Sequence, residues 1–162
     1  MALQFEMTFT VDGNLYDRDA IVSATAKTIV PAVTESVLLL ERDTKLNFPI
    51  GASGLGRNSI ESGTQIVRGR ILEVRGEVFS PLAYVSHVEF GTRPHWVPIR
   101  PLKLWAKRKF GDENIAYAVR AVIAKRGTRA QKIFANALRK NTARIEGIIN
   151  AAGQRWEAFL SR

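Results

Sequence analysis

Tyr84-Val85-Ser86-His87-Val88-Glu89-Phe90-Gly91-Thr92-Arg93-Pro94-His95-Trp96 is the stretch on which the reading of this chain turns. Tyr84, Ser86, Val88 and Phe90 alternate with Val85, His87 and Glu89, and a period of two predicts a strand. Gly91 ends it, because glycine reaches backbone angles that a side chain resists. Pro94 has no amide to donate and pushes Arg93 into an extended conformation. The expected result is a strand that stops at a stiff, exposed loop presenting Arg93, His95 and Trp96. A cation, an imidazole and an indole side by side suit contact with a partner more than they suit chemistry.

Toward the N-terminus, Leu3, Phe5, Met7, Phe9 and Val11 alternate with polar residues and predict another strand, closed by a turn at Asp12-Gly13-Asn14. A helix is expected to start near Asp17 or Asp19, either of which can cap free amides. Its apolar stripe is Ile21, Thr25, Thr28, Ile29, Ala32, Val33, Val37 and Leu40, with Pro31 inside it as a kink, and it stops before Asn47-Phe48-Pro49. Gly51 to Gly56 lacks the Lys-Ser/Thr of a phosphate-binding loop and reads as a flexible connection. From Arg57 to Phe90 the pattern is antiparallel, with strands around Ile60, Gln65–Val67 and Ile71–Phe79 before the opening one. Ser62-Gly63, Arg68-Gly69 and Ser80-Pro81 read as turns or bulges, and Leu72, Val74 and Val78 as one buried face.

After Pro101 the period becomes helical. Leu102–Phe110 reads as a short basic helix ended by Gly111. Asp112 is placed to cap a second helix, with Ile115, Val119, Val122 and Ile123 on one face and Gly127 as its stop. Thr128 is read as introducing the longest helix, whose face is Phe134, Leu138, Asn141, Ile145, Ile148, Ala152, Trp156 and Phe159. Gly147 and Gly153 weaken that helix and are read as marks of a neighbour's close approach. The fold class expected is α+β: a small antiparallel β-sheet packed by a long N-terminal helix, with additional C-terminal helices. Residues 1–162 are expected to form a single domain, with 130–162 as an extended helical arm.

The 162 residues include no cysteine, which excludes a disulfide framework and a thiolate metal site. No basic, apolar leader opens the chain, and no segment is read as reaching the roughly 20 apolar residues of a membrane span. No membrane partner is therefore expected, and assembly in a cytoplasm is. The net charge of +9 is uneven: Met1–Thr92 has 8 basic and 11 acidic residues, whereas Arg93–Arg162 has 16 and 4. Such polarity suits a subunit docking between unlike charged surfaces, proximity to nucleic acid, or equally a pair of long solvated helices that happen to be basic.

Support for catalysis is thin. His87, Glu89 and His95 could form a facial metal site, but as same-face strand neighbours His87 and Glu89 equally well make polar contacts. The acid pairs Asp17/Asp19 and Glu73/Glu77 read as a helix start and a solvated strand face. The expectation is a protein without enzymatic activity, cofactor or metal. Lys103, Lys107, Arg108 and Lys109 around Trp105, followed by Lys125, Arg126, Arg129 and Lys132, could grip nucleic acid, although Trp105 at helical spacing from Leu102 also suits a core anchor.

Three segments together resemble a known family: Gly54-Leu55-Gly56-Arg57-Asn58-Ser59-Ile60, then Tyr84-Val85 with Val88-Glu89-Phe90-Gly91-Thr92-Arg93-Pro94-His95, then Pro101 and its helix. They resemble the neck, or tail-completion, proteins that join head to tail in long-tailed phages, over about 19–138 of this chain. That resemblance implies a helix on a small antiparallel sheet and many copies in a ring on the axis along which DNA leaves the head. It implies a structural virion protein located at the neck. Its partners would be further copies of itself, head-side connector, stopper or adaptor proteins, and tail terminator or tube proteins, with genomic DNA close by. Glu89, Gly91, Thr92, Arg93, Pro94, His95 and Trp96 would form the contact between subunits or rings. The alternative is a basic cytoplasmic nucleic-acid-binding protein.

Overall fold

The computed structural model describes residues 3–11, 18–51, 53–68 and 72–160. Its elements run β1 (Leu3–Val11), α1 (Arg18–Asn47), α2 (Leu55–Asn58), β2 (Glu61–Arg68), β3 (Leu72–Ser80), α3 (Tyr84–Phe90), α4 (Ile99–Phe110), α5 (Ile115–Arg126) and α6 (Ile133–Leu160). The fold is α+β, with a long N-terminal helix, a small sheet and further C-terminal helices. The turn at Asp12–Asn14, the cap at Asp17 and the Gly69 turn lie outside the described residues.

Two compact units divide the chain. Gln4–Leu46, Glu61–Phe79 and Phe134–Arg162 form a sheet unit; Asn47–Ile60 and Ser80–Ile133 form a helical unit.

In the sheet unit the strand order is β1-β3-β2, and β2 pairs antiparallel with β3 from Glu61↔Phe79 to Arg68↔Leu72. Alternation along β3 does what the sequence pattern predicts: Val74 and Val78 are fully buried while Glu73, Arg75 and Glu77 are half-buried. Gly76 lies between the two valines, and its missing side chain is where α1 sits. A Cβ there would come within 2.6 Å of Val37 Cγ1 and 2.7 Å of Val33 Cγ1. Ile29, Ala32, Val33, Val74 and Ala152 form the core, with Ile148, Ile149 and Trp156 packed on it. Each large side chain fully buried here is worth roughly 1.5–3 kcal/mol. Ser62-Gly63, expected as a turn, continues β2 instead, with Gly63 opposite Glu77.

Helix α6 runs antiparallel along α1. Asn141 Nδ2 donates to Asp43 Oδ2 (2.7 Å) near one end, and Trp156 Nε1 donates to Thr25 Oγ1 (3.1 Å) near the other. The residues expected as an extended arm thus cover the core of the sheet unit. Gly147 and Gly153 have nothing within 4 Å of a Cβ position, so they mark no close approach. Helix α1 continues through Pro31, which is exposed. Contrary to the sequence reading, Ile21–Asn47 is long and apolar enough to cross a membrane by length and composition alone. Its Ala24, Ile29, Val33, Val37 and Leu40 are buried in the protein, the burial expected of a core helix.

In the helical unit α4 packs on α5, with Ala106 and Ala116 fully buried. Gly111 closes α4 in the left-handed region (φ 77°), as its position predicts. Helix α5 starts later than Asp112, whose Oδ1 instead accepts from the Asn114 amide (2.8 Å) in the turn before it. Tyr84–Phe90 is a helix, not the expected strand. Val85 and Glu89, four apart, are buried while Tyr84 and Phe90 are exposed, which is a helical period that the alternation concealed. Ser80 Oγ accepts from the Leu82 amide (3.2 Å) and Val85 N donates to Leu82 O (3.0 Å), so the first turn forms locally.

Candidate functional site

Gly-Thr-Arg occurs twice, at Gly91-Thr92-Arg93 and at Gly127-Thr128-Arg129, and the two copies meet. Thr92 and Thr128 form an antiparallel bridge, each amide donating to the other's carbonyl (3.0 and 3.2 Å), with the hydroxyl oxygens 3.0 Å apart. Gln131 N to Val88 O (3.0 Å) and Lys132 N to Glu89 O (3.1 Å) extend the contact along the chain. Both glycines have backbone angles that side chains avoid: φ 74°, ψ −178° at Gly91 and φ 71°, ψ −159° at Gly127. Each also fits against the other strand. A Cβ on Gly91 would lie 2.4 Å from Thr128 O, and one on Gly127 would lie 1.9 Å from Thr92 O. The sequence reading of Gly91 as a glycine-requiring position is borne out. Thr128, read as the start of the last helix, is spent on this bridge, and α6 begins only at Ile133.

The loop leaving the bridge is held at defined points. His95 N donates to Ile123 O (3.4 Å), and His95 Nδ1 lies 2.9 Å from Arg93 O. Of the seven residues singled out in the sequence, Glu89 is buried, Gly91 and Thr92 are half-buried, and Arg93, Pro94, His95 and Trp96 are exposed. Trp96 is 71% exposed, and the Arg120 guanidinium lies 4.7 Å from its ring centroid. His87 and Glu89, expected on one strand face, are parted by the helix: His87 is exposed and Glu89 buried. Among the described residues no three His, Asp or Glu side chains stand close enough to hold a metal ion. Arg120, Gly127 and Thr128 went unread as parts of this site. The recurring Gly-Thr-Arg was the signal that could have found the last two.

Beside the bridge, the three segments of the sequence resemblance line one apolar groove of about 530 Å³. Gly54, Leu55 and Gly56 supply one wall, Tyr84 and Val88 another, and Pro101 and Leu102 a third. The Gly51–Gly56 stretch, read as flexible, is packed at its end. Gly56 is buried, and a Cβ on it would lie 2.7 Å from both Phe48 Cε1 and Tyr84 Oη. Although Tyr84 is 44% exposed overall, its phenol end lies against Gly56, and that partial desolvation raises it above its ordinary range. Large exposed apolar side chains concentrate on this unit: Ile50, Leu55, Tyr84, Phe90, Trp96, Leu104, Phe110, Tyr117 and Val122, against Leu38, Leu46 and Phe159 on the sheet unit.

Charge concentrates there too. The helical unit has 12 basic and 3 acidic residues, a net of +9, and the sheet unit has 12 of each. Counted by unit and not by chain half, the basic residues of α6 fall together with the acids of α1. On α4, Lys103 Nζ lies 5.1 Å from the Tyr117 ring centroid and 3.4 Å from Glu113 Oε1. Hydrogen bonding to Tyr117, then to Glu113, holds its ammonium above the usual lysine range. Lys109 Nζ lies 5.4 Å from the Trp105 ring centroid, and Trp105 meets Phe110 edge to face at 5.4 Å. Compared with known protein families, curated proteins and solved structures, the chain matches none.

Proposed function

We propose that this chain is a structural virion protein, a ring-forming subunit at the head–tail joint of a long-tailed phage that links the connector stack to the tail. The observation that carries the reading is the exposed apolar surface of the helical unit, with Phe90 and Trp96 each 71% exposed at the ends of a bridged, glycine-locked loop. A concentration of large exposed apolar side chains on one unit is disfavoured on a protein that works alone and is ordinary at a subunit interface. The lining of one groove by all three segments of the sequence resemblance supports the same reading. In it, the unit meets further copies of the chain around the ring and head-side or tail-side proteins above and below. Its role is to hold, not to catalyse, and it needs no cofactor.

Immunogold electron microscopy of gradient-purified particles tests this. Label should be confined to the head–tail junction, and its absence from particles, heads and tails alike would reject the reading. The double substitution Arg93→Ala with Trp96→Ala alters only exposed side chains. It should leave a folded subunit that no longer joins heads to tails, and a normal yield of particles would count against a contact at this loop.

A further inference from the structure

We propose that the Thr92–Thr128 bridge presents Arg93, Arg126 and Arg129 as a grip for the phosphate backbone of duplex DNA. This goes beyond the neck reading and does not rest on it, since it stands on where charge is placed. The bridge draws Arg93 alongside 126–129: a Cβ on Gly127 would lie 2.8 Å from the Arg93 carbonyl carbon, and one on Gly91 would lie 3.1 Å from that of Arg129. The three arginines and Lys125 are all exposed. Among the described residues none of the four has a carboxylate partner. Like charges collected without counter-charges repel one another, and a polyanion relieves that repulsion. Guanidinium groups match phosphate oxygens in paired hydrogen bonds, and the bridge fixes the backbone from which Arg93 and Arg129 extend.

Other partners fit less well. A second copy fits less well because neither of its units has a net negative charge. Single-stranded nucleic acid is held largely by bases stacked on open aromatic faces. Here Trp96, Trp105 and Tyr117 each already carry a cation of the same chain over the ring. The exposed cations beside the bridge suit a backbone, and duplex DNA carries about one negative charge per 1.7 Å of its axis.

Fluorescence anisotropy of the full chain with a labelled 30-base-pair duplex, from 50 to 200 mM salt, tests the proposal. Replacing Arg93, Arg126 and Arg129 by Gln should reduce the log–log salt slope by about 2.7, at about 0.9 for each phosphate no longer neutralised. That makes the fall in affinity over this range about 40-fold smaller than in the parent. The charge-matched set Arg139→Gln, Arg144→Gln and Arg155→Gln, exposed on α6, should leave the slope unchanged. The single Arg129→Gln variant, with a slope lower by about 0.9, keeps the test alive should the triple variant fold poorly. Four results would overturn the proposal: no binding at 50 mM salt, equal losses in both triple sets, tighter binding of a single strand than of the duplex, or competition by polyglutamate as strong as by DNA.

Discussion

Gly127→Ala probes the bridge most directly, because the added methyl group has nowhere to go. At φ 71° and ψ −159° the backbone is in a region that is essentially glycine's alone, and holding another residue there costs of order 1–3 kcal/mol. The Cβ would also lie 1.9 Å from Thr92 O and 2.8 Å from Thr92 C and Arg93 C, all backbone atoms that cannot rotate aside. Relief requires the strands to part. That sacrifices the two reciprocal Thr92–Thr128 amide bonds, each worth about 0.5–1.5 kcal/mol net. The expected loss is therefore about 2–6 kcal/mol, with hydrogen exchange at the Thr92 and Thr128 amides accelerated first. Gly111→Ala is the control. It has a similar φ of 77° but open space around the Cβ position, so it should cost only about 1–2 kcal/mol of left-handed strain. Gly91→Ala meets Thr128 O at 2.4 Å and should resemble Gly127→Ala. Since either change opens the same bridge, the double variant should lose clearly less than the two single losses combined. Guanidinium unfolding followed by circular dichroism measures all four. If Gly127→Ala costs no more than Gly111→Ala, the dovetailed bridge is not a source of stability and the reasoning fails.

Other outcomes follow from the sheet unit. Gly147→Ala lies within α6 with nothing within 4 Å of its Cβ position, so it should stabilise the protein by about 1 kcal/mol, read as a higher unfolding midpoint. Asp43 is 7% exposed, and its carboxyl is held below its usual range by the hydrogen bond from Asn141 and then by that from Lys140, against the opposing effect of burial. A carboxyl lowered on folding contributes stability that is full above its ordinary pKa and is lost as pH falls through the lowered value. Asn141→Leu should therefore cost about 1.5–3 kcal/mol at neutral pH, and the gap from the parent should narrow on acidification below about pH 4. A gap that stays constant down to about pH 2 in denaturant titrations would show that Asp43 is not coupled to Asn141.

Much of this fold was legible because its signals are local. A 3.6-residue apolar period marked α1, α5 and α6, and glycines beyond the last turn marked the ends of α4 and α5. Alternation marked β1 and β3, with Val74 and Val78 correctly placed inside. The failures came where two local readings were equally good. Over seven residues, Tyr84–Phe90 satisfies an alternating pattern of strand formers and also a helical pair at Val85 and Glu89. Choosing between them takes neighbours: Ser80 and Leu82 to start the turn, and Gly56 for Tyr84 to lie against.

The candidate site divides in the same way. Residue type and spacing alone determined that the chain would carry a stiff, cationic, aromatic loop after Gly91, that its helices would stop at glycines, and that its charge would gather late in the chain. Backbone stereochemistry is a property of each residue and its nearest neighbours, so it can be read without a fold. Only the tertiary structure decided that Gly91-Thr92-Arg93 would meet Gly127-Thr128-Arg129, that Trp96 would stand in solvent, and that the whole net charge would sit on one of two units. Those outcomes depend on which distant segments close on one another. That choice is made by summed burial and by the pairing of backbone groups across 36 residues of chain, quantities that no local window contains.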